Sequence, residues 1–96
     1  MKTYIYKIAP TRAEFATSWT PVEEKGMAEH FAYLKNLLEN GNLFLAGPCT
    51  DAAFGIVIIY ADSLDHAREI ASADPAITSG IMSYDVHEFR ISLLKK

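Results

Sequence analysis

The type and position of His30 favour proton-transfer chemistry more than those of any other residue in the chain. On a helix, His30 would project from the flank of an apolar stripe, about 60° from the centre of that stripe. The stripe consists of Met27, Phe31, Leu34 and Leu38. Imidazole is the side chain whose unperturbed pKa lies nearest neutral pH. The pattern fits a proton-transfer group at the rim of a core face. It also fits a half-buried histidine that is satisfied by one hydrogen bond.

Asp74 is the second candidate because Pro75 follows it. Proline disfavours the α conformation in the preceding residue, so Asp74 is turned out of the helix before it. Asp74 can serve as the N-cap of a new short turn that begins with Pro75. It can also orient and charge an imidazole, as carboxylates beside functional histidines do. Both roles stay open on the residues alone.

Four further residues are candidates for contact with a small-molecule ligand, namely Arg12, Gly47, Pro48 and Asp51. A guanidinium binds carboxylates bidentately, so Arg12 is a candidate anchor for an anion, and its alternative role is a surface ion pair of little energetic consequence. Gly47 permits the close approach of a ligand to the loop after a strand. The same loop is also explained as a hairpin turn in which Asp51 is an Asx-type turn residue.

Composition and motifs argue against several function classes. The histidines are scattered and no cysteine cluster exists, so we expect no metal. No glycine-rich phosphate loop is present, so we expect no organic cofactor. The net charge of −3 without a basic run argues against a nucleic-acid partner. A single cysteine and the lack of an 18-residue apolar stretch favour a cytoplasmic protein with no membrane partner.

Six regular elements are predicted to position these residues. Thr20 caps the first helix, Pro21 suits its first position and Glu23 completes a capping box. In chain order the elements are a strand at 3–8, a helix from 21 to about 40, strands at 43–46 and 54–61, a helix after Ser63 and a strand at 82–93.

This β-α-β-β-α-β order predicts one ferredoxin-like α+β domain over residues 1–96. Right-handed crossovers place both helices on one face of a four-stranded antiparallel sheet. The other face would then be bare, yet residues 56–60 are apolar on both sides of their strand, which is typical of a strand covered on both faces. We therefore expect a homodimer packed sheet against sheet. His87, in the last strand, is expected to face the sheet interior or the dimer interface.

Several short motifs, in this order, resemble the YCII-related (YciI-like) family. They are His-Phe-Ala-Tyr-Leu-Lys-Asn-Leu at 30–37, Gly-Asn-Leu at 41–43, Ala-Gly-Pro at 46–48, and Ala-Asp-Pro at 73–75 with Gly80. The resemblance runs from about residue 3 to residue 89. It implies a dimeric α+β barrel of ferredoxin-like halves and an active-site pair at His30 and Asp74.

One branch of that family is similar to dehydrochlorinases that act on chlorinated hydroxyquinols without a metal or an organic cofactor. Ala76 stands where a tyrosine often follows the Asp-Pro step in the family, so we carry over no substrate. The leading hypothesis is a cofactor-free enzyme in which His30 is the general base or acid and Asp74 fixes its tautomer. It would catalyse elimination, isomerisation or hydrolysis of a small aromatic or anionic metabolite. The alternatives are a non-catalytic small-molecule-binding module and a structural dimer.

Overall fold

Four strands and three helices are present in the computed structural model, which describes residues 2–95. Met1 and Lys96, which the predicted domain includes, lie outside the described residues. The elements in chain order are β1 (Lys2–Pro10), α1 (Pro21–Glu39), β2 (Leu43–Pro48), β3 (Gly55–Ala61), α2 (Leu64–Ser72), α3 (Pro75–Thr78) and β4 (Met82–Glu88). A 3₁₀ turn at Ala13–Ala16 lies in the connector between β1 and α1.

The four strands form one antiparallel sheet in the order β2-β3-β1-β4. The helices cover one face of this sheet, so the predicted ferredoxin-like α+β fold is confirmed. The central strand β1 pairs with β3 and β4, and Tyr6 lies opposite both Val57 and Val86. A side chain at this position is enclosed by strands on both sides and by helices above it. In the described part of the chain, no helix is both long and apolar enough to span a bilayer.

The core lies between the sheet and the helices and follows the two-residue period of the strands. From the sheet it takes Tyr4, Tyr6, Ile8, Val57, Ile59 and Ala61, and from α2 it takes Ala67 and Ala71. Burial of each large apolar side chain in this layer stabilises the fold by roughly 1.5–3 kcal/mol.

The opposite face of the sheet carries no element of the described chain, and its centre is apolar. Ile5 lies opposite Ile58, which in turn lies opposite Leu45 on the edge strand. The Phe44 and Tyr60 rings meet edge to face, with centroids 6.1 Å apart. This surface, called here the open face, is where the sequence predicts a homodimer, and the dimer stays a prediction.

The predicted orientation of α1 is wrong by part of a turn. Its buried positions are Glu23, Gly26, His30, Leu34 and Leu37, so His30 lies at the centre of the inward face and not on its flank. The predicted stripe residues Phe31 and Leu38 are 64% and 57% exposed. The inward face therefore carries His30, whose carboxylate partner is buried, while Phe31 and Leu38 line a cavity described below.

The predicted last strand is too long, since β4 ends at Glu88 and not at residue 93. Glu88 lies opposite Tyr4, and the N–H of Phe89 still donates to the carbonyl of Thr3 just past the end of β4. Leu93, beyond this point, is 94% exposed. His87 does not face the sheet interior. It lies opposite Ile5 on the open face and is largely solvent-exposed.

Candidate functional site

The His30 ring and the Asp74 carboxylate are in direct contact although 44 residues separate them. His30 Nδ1 lies 2.7 Å from Oδ1 and 2.8 Å from Oδ2 of Asp74. Asp74 is fully buried and His30 is nearly so. A carboxylate only accepts hydrogen bonds here, so Nδ1 is the donor and carries a proton. In the neutral form of the ring, the other nitrogen, Nε2, is then the one that can accept a proton.

Asp74 accepts two further hydrogen bonds. The Tyr6 hydroxyl donates to Oδ2 at 2.8 Å, and the backbone N–H of Ala76 donates to Oδ1 at 2.9 Å. The second bond makes Asp74 the N-cap of α3, and Pro75 is the first residue of that helix. The two roles that the sequence left open, cap and imidazole partner, are thus combined in one carboxylate.

Three features of α1 bring His30 to Asp74. The Thr20–Glu23 capping box fixes the start of the helix. Gly26 lets the helix approach the chain after α3, because a Cβ there would lie 2.7 Å from Cδ1 of Ile81. The Tyr33 hydroxyl donates to the carbonyl of Ile70 at 2.7 Å and ties α1 to α2.

His30 Nε2 is the ring nitrogen that is not bound to Asp74. It forms no hydrogen bond to any of residues 2–95. Yet no fully buried side-chain nitrogen or oxygen in the described chain lacks a partner, so Nε2 must be reached by solvent. His30 also lines a cavity of about 1040 Å³. The site therefore presents an imidazole with its donor side anchored and its acceptor side open.

The cavity lies between α1, the connector after β1 and the β2–β3 hairpin. Most of its wall is apolar, and the lining includes the aromatic residues Phe15, Trp19, Phe31, Phe44 and Phe54. The cavity extends around the β2 edge of the sheet, since Phe44 packs against Tyr60 on the open face. Phe15 and Trp19 pack on each other with centroids 5.3 Å apart. The charged or titratable groups of its wall include Glu24, His30 and Lys35. Such a wall favours a small ligand with a planar apolar body and a few polar groups.

Two of the predicted ligand-binding residues, Gly47 and Pro48, line the same cavity as His30. Asp51 is absent from this lining, although both of its neighbours, Thr50 and Ala52, belong to it. Its Oδ1 accepts a hydrogen bond from the N–H of Ala53 at 2.9 Å. This is the Asx turn that was one of the two interpretations of the loop. A role in ligand binding stays a prediction for all three of these residues.

Arg12 does not line the cavity, and its guanidinium is held by Glu23. Nε lies 2.8 Å from Oε2 and Nη2 lies 2.7 Å from Oε1, a bidentate pair. Nη2 also donates to the carbonyl of Ser18. Arg12 therefore fixes the connector to the start of α1, and its predicted role as an anion anchor stays a prediction.

The Arg12–Glu23 pair predicts a measurable acid response. Hydrogen bonds from Arg12 lower the pKa of Glu23 from its usual 4.5 to about 2. A pKa depressed in the folded state means that this contribution to stability is present above 4.5 and is lost as the pH falls toward 2. We expect the free energy of unfolding of wild type, measured in urea, to decline more steeply in this window than that of Glu23→Gln.

Glu24→Gln is the matched control, because Glu24 is an exposed acid in the same helical turn. Its free energy of unfolding should decline between pH 4.5 and pH 2 as steeply as that of wild type. Equal slopes for wild type and Glu23→Gln would contradict the prediction. Gln at this position still serves the capping box, so loss of the cap is not a confounding effect.

Tyr6 and Tyr33 are the residues of this site that the sequence interpretation missed. Burial raises the pKa of both phenols, and the charge of Asp74 raises both further. Both therefore stay protonated donors at neutral pH. A signal for Tyr6 did exist, because a buried tyrosine hydroxyl needs a hydrogen-bond partner and Tyr6 is on the inward side of its strand. Tyr4 carries the same signal, so the pattern did not single out one of them.

Among residues 2–95, no group of three or more His, Cys, Asp or Glu side chains is arranged to hold a metal ion. The chemistry that the site offers on its own is proton transfer at Nε2. The imidazolium so formed would face a carboxylate at 2.7 Å.

Fold and site together define a ferredoxin-like α+β protein with a buried histidine–aspartate pair beside an open cavity. The chain belongs to the family of the YCII-related domain, whose family model matches residues 1–90. It is 35% identical over 68 residues to the uncharacterized protein YjpA of Bacillus subtilis (strain 168). That match covers 71% of this chain and 80% of YjpA, and the predicted family is thereby confirmed.

A solved structure with the same fold is the 5-chloro-2-hydroxyhydroquinone dehydrochlorinase TftG from Burkholderia phenoliruptrix AC1100, in complex with 2,5-dihydroxybenzoquinone. It superposes with a TM-score of 0.71 and covers 92% of this chain and 93% of TftG. The two sequences are 18% identical, so this likeness extends to the fold alone.

Proposed function

We propose that this chain is a small cofactor-free enzyme in which His30 acts as general base and acid on a metabolite bound in the cavity. Asp74 fixes the tautomer of His30 and stabilises the imidazolium. The observation that carries the proposal is the asymmetry of the imidazole, with Nδ1 bound to a buried carboxylate and Nε2 unpartnered and open to solvent.

The proposed chemistry begins when the lone pair on Nε2 removes a proton from a C–H or O–H acid of the substrate. The electron pair of the broken bond stays on the substrate. It can expel a leaving group, which is elimination, or take the proton back at another atom, which is isomerisation. If the proton comes instead from a bound water, the hydroxide adds to an electrophilic atom of the substrate and the bond to the leaving group breaks. The imidazolium then returns its proton to the leaving group, which is hydrolysis. None of these steps requires a metal or an organic cofactor.

The cavity supports a small, planar substrate, aromatic or quinone-like, that carries negative charge. The aromatic wall offers stacking surfaces, and Lys35 is a lysine in the lining that an anionic group could approach. The ligand of TftG, 2,5-dihydroxybenzoquinone, is a compound of this kind and makes a rational first probe. We also keep the cytoplasm as the proposed location, since a single cysteine suits a reducing compartment.

The experiment that tests this function combines binding and turnover. Affinity for 2,5-dihydroxybenzoquinone is measured by calorimetry. Turnover is followed with a panel of acidic substrates, including 5-chloro-2-hydroxyhydroquinone with detection of released chloride. Turnover of at least one compound supports the proposal that the chain is an enzyme. Binding without any turnover favours the alternative of a non-catalytic binding module, and neither binding nor turnover leaves only a structural role.

We further propose that two copies pair through the open face. Leu45, which is 40% exposed, and the partly exposed Ile5 leave apolar surface there around the buried Ile58, and exposed apolar surface of this kind drives association. Sedimentation at micromolar concentration is expected to give twice the chain mass for wild type and the single-chain mass for Ile5→Lys, which places a charge on this surface. Lys25→Glu, on the exposed side of α1, should leave the dimer intact. A wild-type monomer would overturn this arrangement.

A further inference from the structure

The Tyr6 side chain is fully buried, and the hydrogen bond from its hydroxyl goes to Asp74. It lies on β1, whereas His30 lies on α1 and Asp74 at the start of α3. Three elements that are distant in sequence thus meet at one carboxylate. Tyr4 is on the same face of the same strand and is also buried, but it makes no hydrogen bond to Asp74.

The donors around Asp74 determine the orientation of its carboxylate. Ala76 N–H holds Oδ1 and the Tyr6 hydroxyl holds Oδ2. With one donor on each oxygen, rotation of the carboxylate about its Cβ–Cγ bond would break both hydrogen bonds. In this orientation both oxygens face Nδ1 of His30, at 2.7 and 2.8 Å.

We propose that Tyr6 is a positioning residue of this site, whose hydroxyl fixes the plane of the Asp74 carboxylate and so holds His30 in the Nδ1–H tautomer with Nε2 as the proton acceptor. The inference rests on the proposed function and adds a third member to the pair. Tyr6 is not itself the acid or base, because it is fully buried and does not line the cavity. Burial and the charge of Asp74 also raise its pKa, so the phenol remains a donor.

The test compares Tyr6→Phe with Tyr4→Phe, since each removes one tyrosine hydroxyl from the same face of β1. Long-range ¹H–¹⁵N NMR of the imidazole gives the tautomer of His30 in the ligand-free protein. Wild type and Tyr4→Phe are expected to show the Nδ1–H tautomer alone. Tyr6→Phe is expected to show a mixture of tautomers and faster solvent exchange of the Nδ1 proton. For any compound that turns over, kcat should fall about tenfold at unchanged KM.

A wild-type measurement covers the case in which Tyr6→Phe does not fold. The Tyr6 hydroxyl proton should exchange slowly with solvent and show a cross-peak to the Nδ1 proton of His30. A Tyr6→Phe protein with the wild-type tautomer, or a rapidly exchanging Tyr6 hydroxyl in wild type, would overturn the inference. The NMR readout needs no substrate, so it is independent of whether the panel shows turnover and separates this inference from the proposed function.

Discussion

His30→Gln is expected to lower kcat/KM by about 10² to 10⁴ for whichever compound of the panel turns over, because it removes the proton acceptor. Glutamine can still donate a hydrogen bond to Asp74, so the buried carboxylate keeps a partner. The loss should fall on kcat, since a proton-transfer group acts in the transition state more than in substrate binding. The measurement is steady-state turnover of wild type and variant, with their folds compared by circular dichroism.

His66→Gln is the matched control for this variant. His66 lies near the start of α2, is partly exposed and does not line the cavity. Its replacement should leave kcat/KM within about a factor of two of the wild-type value, since substitutions on the surface away from a site have small effects. A folded His30→Gln protein with wild-type kcat would remove His30 from the mechanism.

Asp74→Asn is expected to cause the second large effect, and on stability as well as on activity. The side-chain amide has one acceptor oxygen, while His30, Tyr6 and Ala76 each direct a donor at the carboxylate. One donor then meets an N–H group and is left unsatisfied in the core. That should lower the free energy of unfolding by about 1–3 kcal/mol. Asparagine is as good an N-cap as aspartate, so α3 keeps its start.

The activity of Asp74→Asn should fall by about 10² or more, because the His30 tautomer is no longer fixed. Urea unfolding and imidazole ¹⁵N NMR measure the two effects separately. Asp65→Asn is the control, because the Asp65 side chain is 89% exposed in the first turn of α2. Its free energy of unfolding should stay within about 0.5 kcal/mol of the wild-type value. Unchanged stability and tautomer in Asp74→Asn would show that the buried contact has no energetic role.

The local features of this fold could be predicted from the sequence because they depend on neighbouring residues. The capping box at Thr20 and Glu23 and the turn at Asp51 involve partners within three residues, and both are present as predicted. The strand order follows from the chain order and the handedness of crossovers. The end of β4 was not predictable in this way, because it depends on pairing with β1 at the other end of the described chain.

The site was predicted less completely than the fold. Residue types made His30 and Asp74 candidates, the family resemblance implied that they form a pair, and the structure places them in contact. The apolar pattern of α1 assigned the wrong inward face, because hydrophobic periodicity does not include a buried polar contact as a reason to turn a helix. Tyr6 was missed because its partner lies 68 residues away. Arg12 was assigned to a ligand by its type alone, and its contact with Glu23 is visible only in three dimensions.

The wide sequence separation of Tyr6, His30 and Asp74 has a consequence for how the protein is made. Contacts that span 44 and 68 residues form only after long stretches of chain have been ordered, and such non-local contacts are slow to form. A nascent chain therefore contains His30 before it contains the carboxylate to which that residue binds. The contact of His30 and Tyr6 with Asp74 can form only after α3 has been synthesised.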